Sequence, residues 1–266
     1  MLGLLGSGGC AALLSSCSLL FPKHYGPFPM AYALKVATPE WARAGISLLE
    51  IDVTLRGDAA DSSWVYSTEP SLGVSGQAAV VDLGARGKLF ALLRSTASGG
   101  WVNRQAVEGR DADMIDRERM KAYADDLTNG GGFLRTITDM TGPPAPPRAL
   151  APGEPPPVSG YPLLVRFEDS RDPRSVEEVD PYHLDRSFGA GVSLQTIDVA
   201  VGAPNVAFTR AHHGNPIPIV RELPWLRSLG DRNLDGSSDW TGDPITGSPL
   251  AHVLRRSDFL RERTST

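Results

Sequence analysis

The chain reads as an α+β or mainly β domain of antiparallel strands, with one or two packed helices and long irregular loops. Three observations predict this. Ile46 to Leu55 is the clearest strand, and from Leu49 to Leu55 apolar and polar side chains alternate one for one, the period of a strand with one buried face. The 266 residues include 28 glycines and 22 prolines, a content that favours short strands joined by many turns over a helical bundle. The best helix candidate is Met114 to Leu127, where Met114, Ile115, Met120, Tyr123 and Leu127 fall near one face.

Taken in order, the elements follow from the same reasoning. Tyr32, Leu34 and Val36 alternate with Ala33, Lys35 and Ala37 as a first strand, and Thr38-Pro39-Glu40 makes a turn. The second strand should place Leu49, Ile51, Val53 and Leu55 inward and Glu50, Asp52 and Thr54 outward, pairing antiparallel with the first. Ala78 to Leu83 and Leu89 to Leu93 predict a hairpin, closed through Gly84 and Gly87, which tolerate the positive φ of tight connections. Asp111 or Asp113 is available to cap the helix at 114–127. Eight prolines between Pro143 and Pro157 exclude a helix or a central strand, leaving an exposed connector or a surface arm. Strand character returns at Tyr161–Phe167 and Val192–Val201, with short helical turns expected between them. Pro249 to Arg263 reads as a closing helix with Leu250, Val253 and Leu254 inward. There is no internal repeat.

The first residues carry a different message. Residues 1–17 contain no charged side chain, and the short apolar run Ala11 to Leu14 leads into Leu14-Ser15-Ser16-Cys17. That tetrad resembles the lipobox of bacterial lipoproteins, in which a leucine stands three positions before a cysteine and small residues separate them. The resemblance implies removal of residues 1–16 as a signal segment, acylation of Cys17, and anchoring to a lipid bilayer. Residues 17–30 then form a tether, and residues 31–266 a single globular domain with a Pro-rich arm at 143–157. Two or three acyl chains, at about 0.8 kcal/mol per buried CH₂, hold a domain on a bilayer, whereas one chain does not. A buried helix is a poor alternative, because seven glycines and serines fall among the first sixteen residues and each glycine weakens a helix by about 0.5–1 kcal/mol. The run is also shorter than the roughly 20 apolar residues of a membrane span. Lys23 is the first basic side chain, a departure from the basic start of most signal segments, so plain secretion or a cytosolic location stay open as alternatives.

Further segments are similar to an uncharacterised family of bacterial envelope lipoproteins and related hypothetical proteins. They are Tyr32 to Glu40 with Glu50 to Leu55, Ala79-Val80-Val81-Asp82-Leu83-Gly84 with Leu89-Phe90-Ala91-Leu92-Leu93, Tyr161 to Asp169, Asp172 to Pro181 running on to Phe188-Gly189-Ala190-Gly191-Val192, and Leu223-Pro224-Trp225-Leu226. The resemblance implies an envelope location and carries no assigned activity, hence no catalytic residues and no cofactor.

The residues themselves offer few candidates for chemistry. Asp231, Asn233, Asp235 and Asp239, with Gly236 at the sixth position, match the opening of a calcium loop. The twelfth position should be a bidentate glutamate and is Gly242, so the 231–239 loop is expected to bind calcium weakly or not at all. His212-His213 lacks metal-ligand spacing, and no catalytic metal set is expected. Gly73-Val74-Ser75-Gly76 falls short of a nucleophile elbow. Trp225 stands in an apolar cluster as either a packing residue or a partner anchor. A formal charge of −5, with no basic patch, gives no attraction to nucleic acid. The expected function is an envelope lipoprotein, a non-enzymatic binding or structural module, whose protein or small-molecule ligand the sequence does not name. The alternatives are a hydrolase whose site assembles only in three dimensions, and a calcium-dependent binding protein using the 231–239 loop.

Overall fold

The computed structural model describes residues 22–55, 70–95, 101–107, 115–137, 161–203, 216–230, 232–235 and 249–263. Within them the fold is α+β, with two antiparallel sheets and several packed helices. The larger sheet comprises β1 (Lys23–Ala37), β2 (Ala42–Leu55), β3 (Ser71–Gln77), β6 (Gly132–Ile137), β9 (Ser193–Gly202) and β10 (Leu260–Arg261). Its order is β10-β3-β2-β1-β9-β6. The smaller contains β4 (Ala79–Asp82), β5 (Lys88–Ala91), β7 (Leu164–Phe167) and β8 (Val176–Glu178), in the order β4-β5-β7-β8. Helices α1 (Trp101–Ala106), α2 (Arg117–Thr128) and α3 (Leu184–Phe188) precede three short turns of helix at Ile219–Glu222, Pro249–Val253 and Arg256–Phe259.

The two sheets differ in pattern because they differ in what covers them. One face of the large sheet buries Met30, Tyr32, Leu34, Ile51, Val53 and Val199 in a core shared with Trp101 of α1 and Met120 of α2. The opposite face carries Lys35, Glu50 and Asp52 and a small buried cluster of Ala31, Ala33, Ile46 and Ala200, so β2 alternates from Ser47 to Leu55 while β1 is buried without a break from Met30 to Leu34. The small sheet is covered twice. Ala79, Val81, Leu89 and Ala91 face that same core. Val80, Phe90 and Val165 face a second one, built with Ile219, Leu223, Leu226, Leu254 and Phe259. A strand buried on both faces has no polar phase, which is why 78–81 and 89–93 read as unbroken apolar runs.

Three features hold the sheets to each other. The chain passes from β3 to β4 through Ala78 alone, whose N–H donates to the Phe259 carbonyl at 2.7 Å. Gln77 then reaches across to the short helix at Ile219. Its Nε2 donates to the Ile217 carbonyl at 2.9 Å, and its Oε1 accepts the Ile219 N–H at 3.0 Å. The third is Tyr32, wholly buried in β1. Its hydroxyl accepts the Ala79 N–H and donates to the Ala91 carbonyl, both at 2.8 Å, so one phenol joins β1 to β4 and β5. Burial is the main reason its ionisation is pushed well above the ordinary phenol range. Tyr32→Phe leaves a donor and an acceptor unpaired in the core, at about 1–3 kcal/mol each. Chemical denaturation should show a loss of about 2–5 kcal/mol with the denaturant slope unchanged.

Several boundaries differ from the sequence expectation. Residues 23–30, assigned to a tether, belong to β1, where Phe28 pairs with Ile51 and Met30 with Leu49, and both side chains are buried. The strand is hidden in sequence by Pro27 and Pro29, which interrupt its alternation at a register shift between Tyr25 and Phe28. The long helix is α2, capped by Asp116, whose carboxylate accepts the Arg119 N–H, and neither Asp111 nor Asp113 lies within the described residues. The expected closing helix is two short turns and a strand. Arg255 separates the turns, its N–H held by the Asp258 carboxylate at 2.8 Å. The Pro-rich arm at 143–157 lies outside the described residues.

Candidate functional site

At the far end of β1 from Lys23, three connections meet. The β1–β2 link, residues 38–41, is tied by the Thr38 N–H to the Trp41 carbonyl at 3.1 Å. The Thr38 hydroxyl donates to the same carbonyl at 2.7 Å and accepts the Trp41 N–H at 3.2 Å. The β4–β5 link supplies Arg86. Its guanidinium donates to Glu40 Oε1 at 2.9 Å and to the Phe188 carbonyl at 3.0 Å. The turn between α3 and β9 brings Gly191 against Pro39, where a Cβ would stand 2.8 Å from the proline ring, and Gly191 sits at φ +81°. The Arg86 hydrogen bond, with a smaller contribution from Thr38, holds the Glu40 carboxyl below the ordinary carboxylate range.

On this braced tip Trp41 is 57% exposed. The Arg43 guanidinium stacks over its ring at 4.8 Å from the centroid. By the two-residue period Trp41 shares the phase of Leu49 and Ile51, so the sequence alone argues for burial; its place in the 38–41 link, ahead of the start of β2 at Ala42, is what leaves it exposed.

A concavity of about 560 Å³ lies on the large sheet among Pro27, Pro29, Leu48, Glu50, Ser75, Arg261 and Arg263. Its charges are largely matched within the fold. Arg263 pairs with Asp52 at 3.0 Å and approaches Glu50 at 3.9 Å. Arg261 donates to Asn103 Oδ1 at 2.7 Å and to the Ser257 carbonyl at 3.2 Å, and burial lowers its guanidinium pKa. Behind it Asp258 is buried beside Arg94 at 3.5 Å, a structural pair that also organises the 255–258 turn. Ser75 stands mid-strand in β3 opposite Glu50, not at the strand-to-helix elbow a serine nucleophile requires.

The other sequence candidates are dispersed. Cys17, residues 1–16 and His212-His213 lie outside the described residues, as do Asp231 and 236–239 of the acidic loop. Within the described part of that loop, Asn233 turns inward. Its Oδ1 accepts from Arg255 Nε at 3.2 Å, while the N–H groups of Leu234 and Asp235 donate to the carbonyls of Leu254 and Ala251. Trp225 packs against Phe167 and Phe259, and its indole N–H donates to the Ser170 carbonyl at 3.0 Å. Glu177 is paired with Arg166 at 2.7 Å. Among the described residues no three His, Cys, Asp or Glu side chains group as a metal site. Among those residues, too, no helix is long and apolar enough to cross a membrane. No family model, curated protein or solved structure matches this chain.

Proposed function

We propose that the chain is an envelope lipoprotein, acylated at Cys17 and held on a lipid bilayer, and that its folded body is a non-enzymatic binding or structural module. The observation that carries the reading is Leu14-Ser15-Ser16-Cys17, a leucine and two small residues ahead of a cysteine, following an uncharged, partly apolar run. The position of β1 adds a dimension to it. Lys23 follows Cys17 by six residues, a reach of at most about 20 Å for an extended chain. An anchor at Cys17 therefore sets the Lys23 end of the large sheet against the headgroups, with the Trp41 tip roughly 45 Å away along β1. Anchoring and partner contact would then occupy opposite ends of one strand.

The test is membrane fractionation with intact mass measurement in a bacterial host that processes lipoproteins. Wild-type protein should sediment with membranes at a mass beginning at Cys17 plus acyl groups, and Cys17→Ala should move it to the soluble fraction. Soluble wild-type protein retaining residues 1–16 would end the proposal.

A further inference from the structure

We infer that the β1–β2 tip is a docking site for an acidic, apolar segment of a partner protein, with Trp41 as anchor and Arg43 as charge selector. The inference stands on the tip itself and holds whether or not Cys17 is acylated. An indole more than half exposed at the end of a hairpin contributes little to the fold. Here the backbone that carries it is nonetheless braced, by three hydrogen bonds between Thr38 and the Trp41 main chain and by Arg86, which ties Glu40 to the end of α3, while the Arg43 guanidinium lies over the ring. Preorganisation of this kind lowers the entropy lost when a side chain is buried by a partner. Tryptophan and arginine are also the residues most often found to dominate binding interfaces.

The donor inventory selects the partner. Arg43 has no carboxylate partner among the described residues, and the Trp41 indole N–H makes no hydrogen bond there. Of the neighbouring acceptors, Glu40 Oε1 is taken by Arg86 and the Thr38 hydroxyl by the backbone of Trp41. The tip thus offers an apolar plate edged by donors and by one uncompensated positive charge. A neutral sugar ring would leave the guanidinium's charge unmatched. A peptide that lays a leucine or aromatic side chain on the indole, brings Asp or Glu to the guanidinium and turns a backbone carbonyl to the indole N–H satisfies all three groups.

The probe is a random dodecapeptide library panned against the immobilised full chain in mild detergent, followed by titration of the enriched consensus peptide. Enriched sequences should combine an apolar residue with flanking Asp or Glu. Trp41→Ala should weaken the consensus peptide by about thirtyfold, the size of a hot-spot truncation. Arg43→Glu should abolish its binding and enrich Lys- or Arg-bearing sequences instead. Both substitutions should leave the thermal transition in place, since neither side chain belongs to the core. The proposal fails if no sequence is enriched, or if Trp41→Ala binds the peptide as wild type does. It fails equally if Trp41 dependence appears only with hexose oligosaccharides or with phosphatidylglycerol vesicles.

Discussion

Gly45→Ala should destabilise the protein by about 3 kcal/mol, although it adds one methyl group to a strand, where alanine is ordinarily no worse than glycine. Gly45 lies in β2 at the point where the large sheet meets the small one. A Cβ there would stand 2.3 Å from the Val80 carbonyl oxygen and 2.7 Å from its carbon, with Val81 Cγ2 at 2.8 Å. The obstruction is backbone, and that backbone is not free to yield. Val80 is paired with Phe90 across β4–β5, and its side chain is wholly buried in the second core. Relief therefore requires the sheets to separate, which would also stretch the Tyr32 hydrogen bonds to Ala79 and Ala91. Gly73→Ala is the matched control. It adds the same methyl group in the adjacent strand, where the nearest atom is 3.7 Å away, and should be neutral or slightly stabilising. Urea midpoints of the three proteins decide the matter, and equal midpoints for the two variants would mean that the sheets do not meet at Gly45.

Val53→Asp should be at least as damaging. Val53 is fully buried, with Tyr25 opposite it on β1 and Leu72 on β3. An aspartate there must either ionise without a partner or fold protonated, and either route costs several kcal/mol, a large share of the stability of an ordinary domain. One residue earlier the side chain points the other way. Asp52 meets Arg263 at 3.0 Å on a half-exposed surface, so Asp52→Asn should change stability by less than about 1 kcal/mol. Thermal melts of the pair measure the strand phase directly. Comparable losses would place the register of β2 one residue away from the one described.

How much of this fold could be read from sequence depended on how each strand is covered. β2 was legible because one face is buried and the other wet, so Leu49, Ile51, Val53 and Leu55 announce themselves. β4 and β5 were legible as apolar runs flanking a glycine turn, although their burial on both faces was not. β6 was not legible. Gly132–Ile137 is an edge strand with four of its six residues exposed, and Leu134 on it is 61% exposed, so no period survives. β3, with Gly73 and Gly76 among its seven residues, holds its place through pairing with β2 more than through its side chains. The first part of β1 reads as a tether because Pro27 and Pro29 argue locally for a loop, while the pairing of Phe28 and Met30 with Ile51 and Leu49 is a tertiary fact. The candidate site shows the same division. The turn at Thr38-Pro39-Glu40 was plain, but Arg86 and Gly191 reach it from positions far away in sequence. Only the fold makes the tip a braced platform.

The neighbour that completes β1 is β9, and the two meet with Lys35 opposite Thr196. About 160 residues separate these partners, a long loop to close before the pairing contributes anything. A chain made or exported from its amino end therefore presents the β1–β2 hairpin early, with the β9-facing side of β1 open. That open side carries the backbone groups of Met30 to Ala37 together with some of the most apolar side chains in the protein. Until Ser193–Gly202 emerges, this segment is an adhesive edge exposed to any passing strand. Yield during biogenesis should accordingly depend on how fast the last third of the chain arrives, and on holdases that shield the first strand meanwhile.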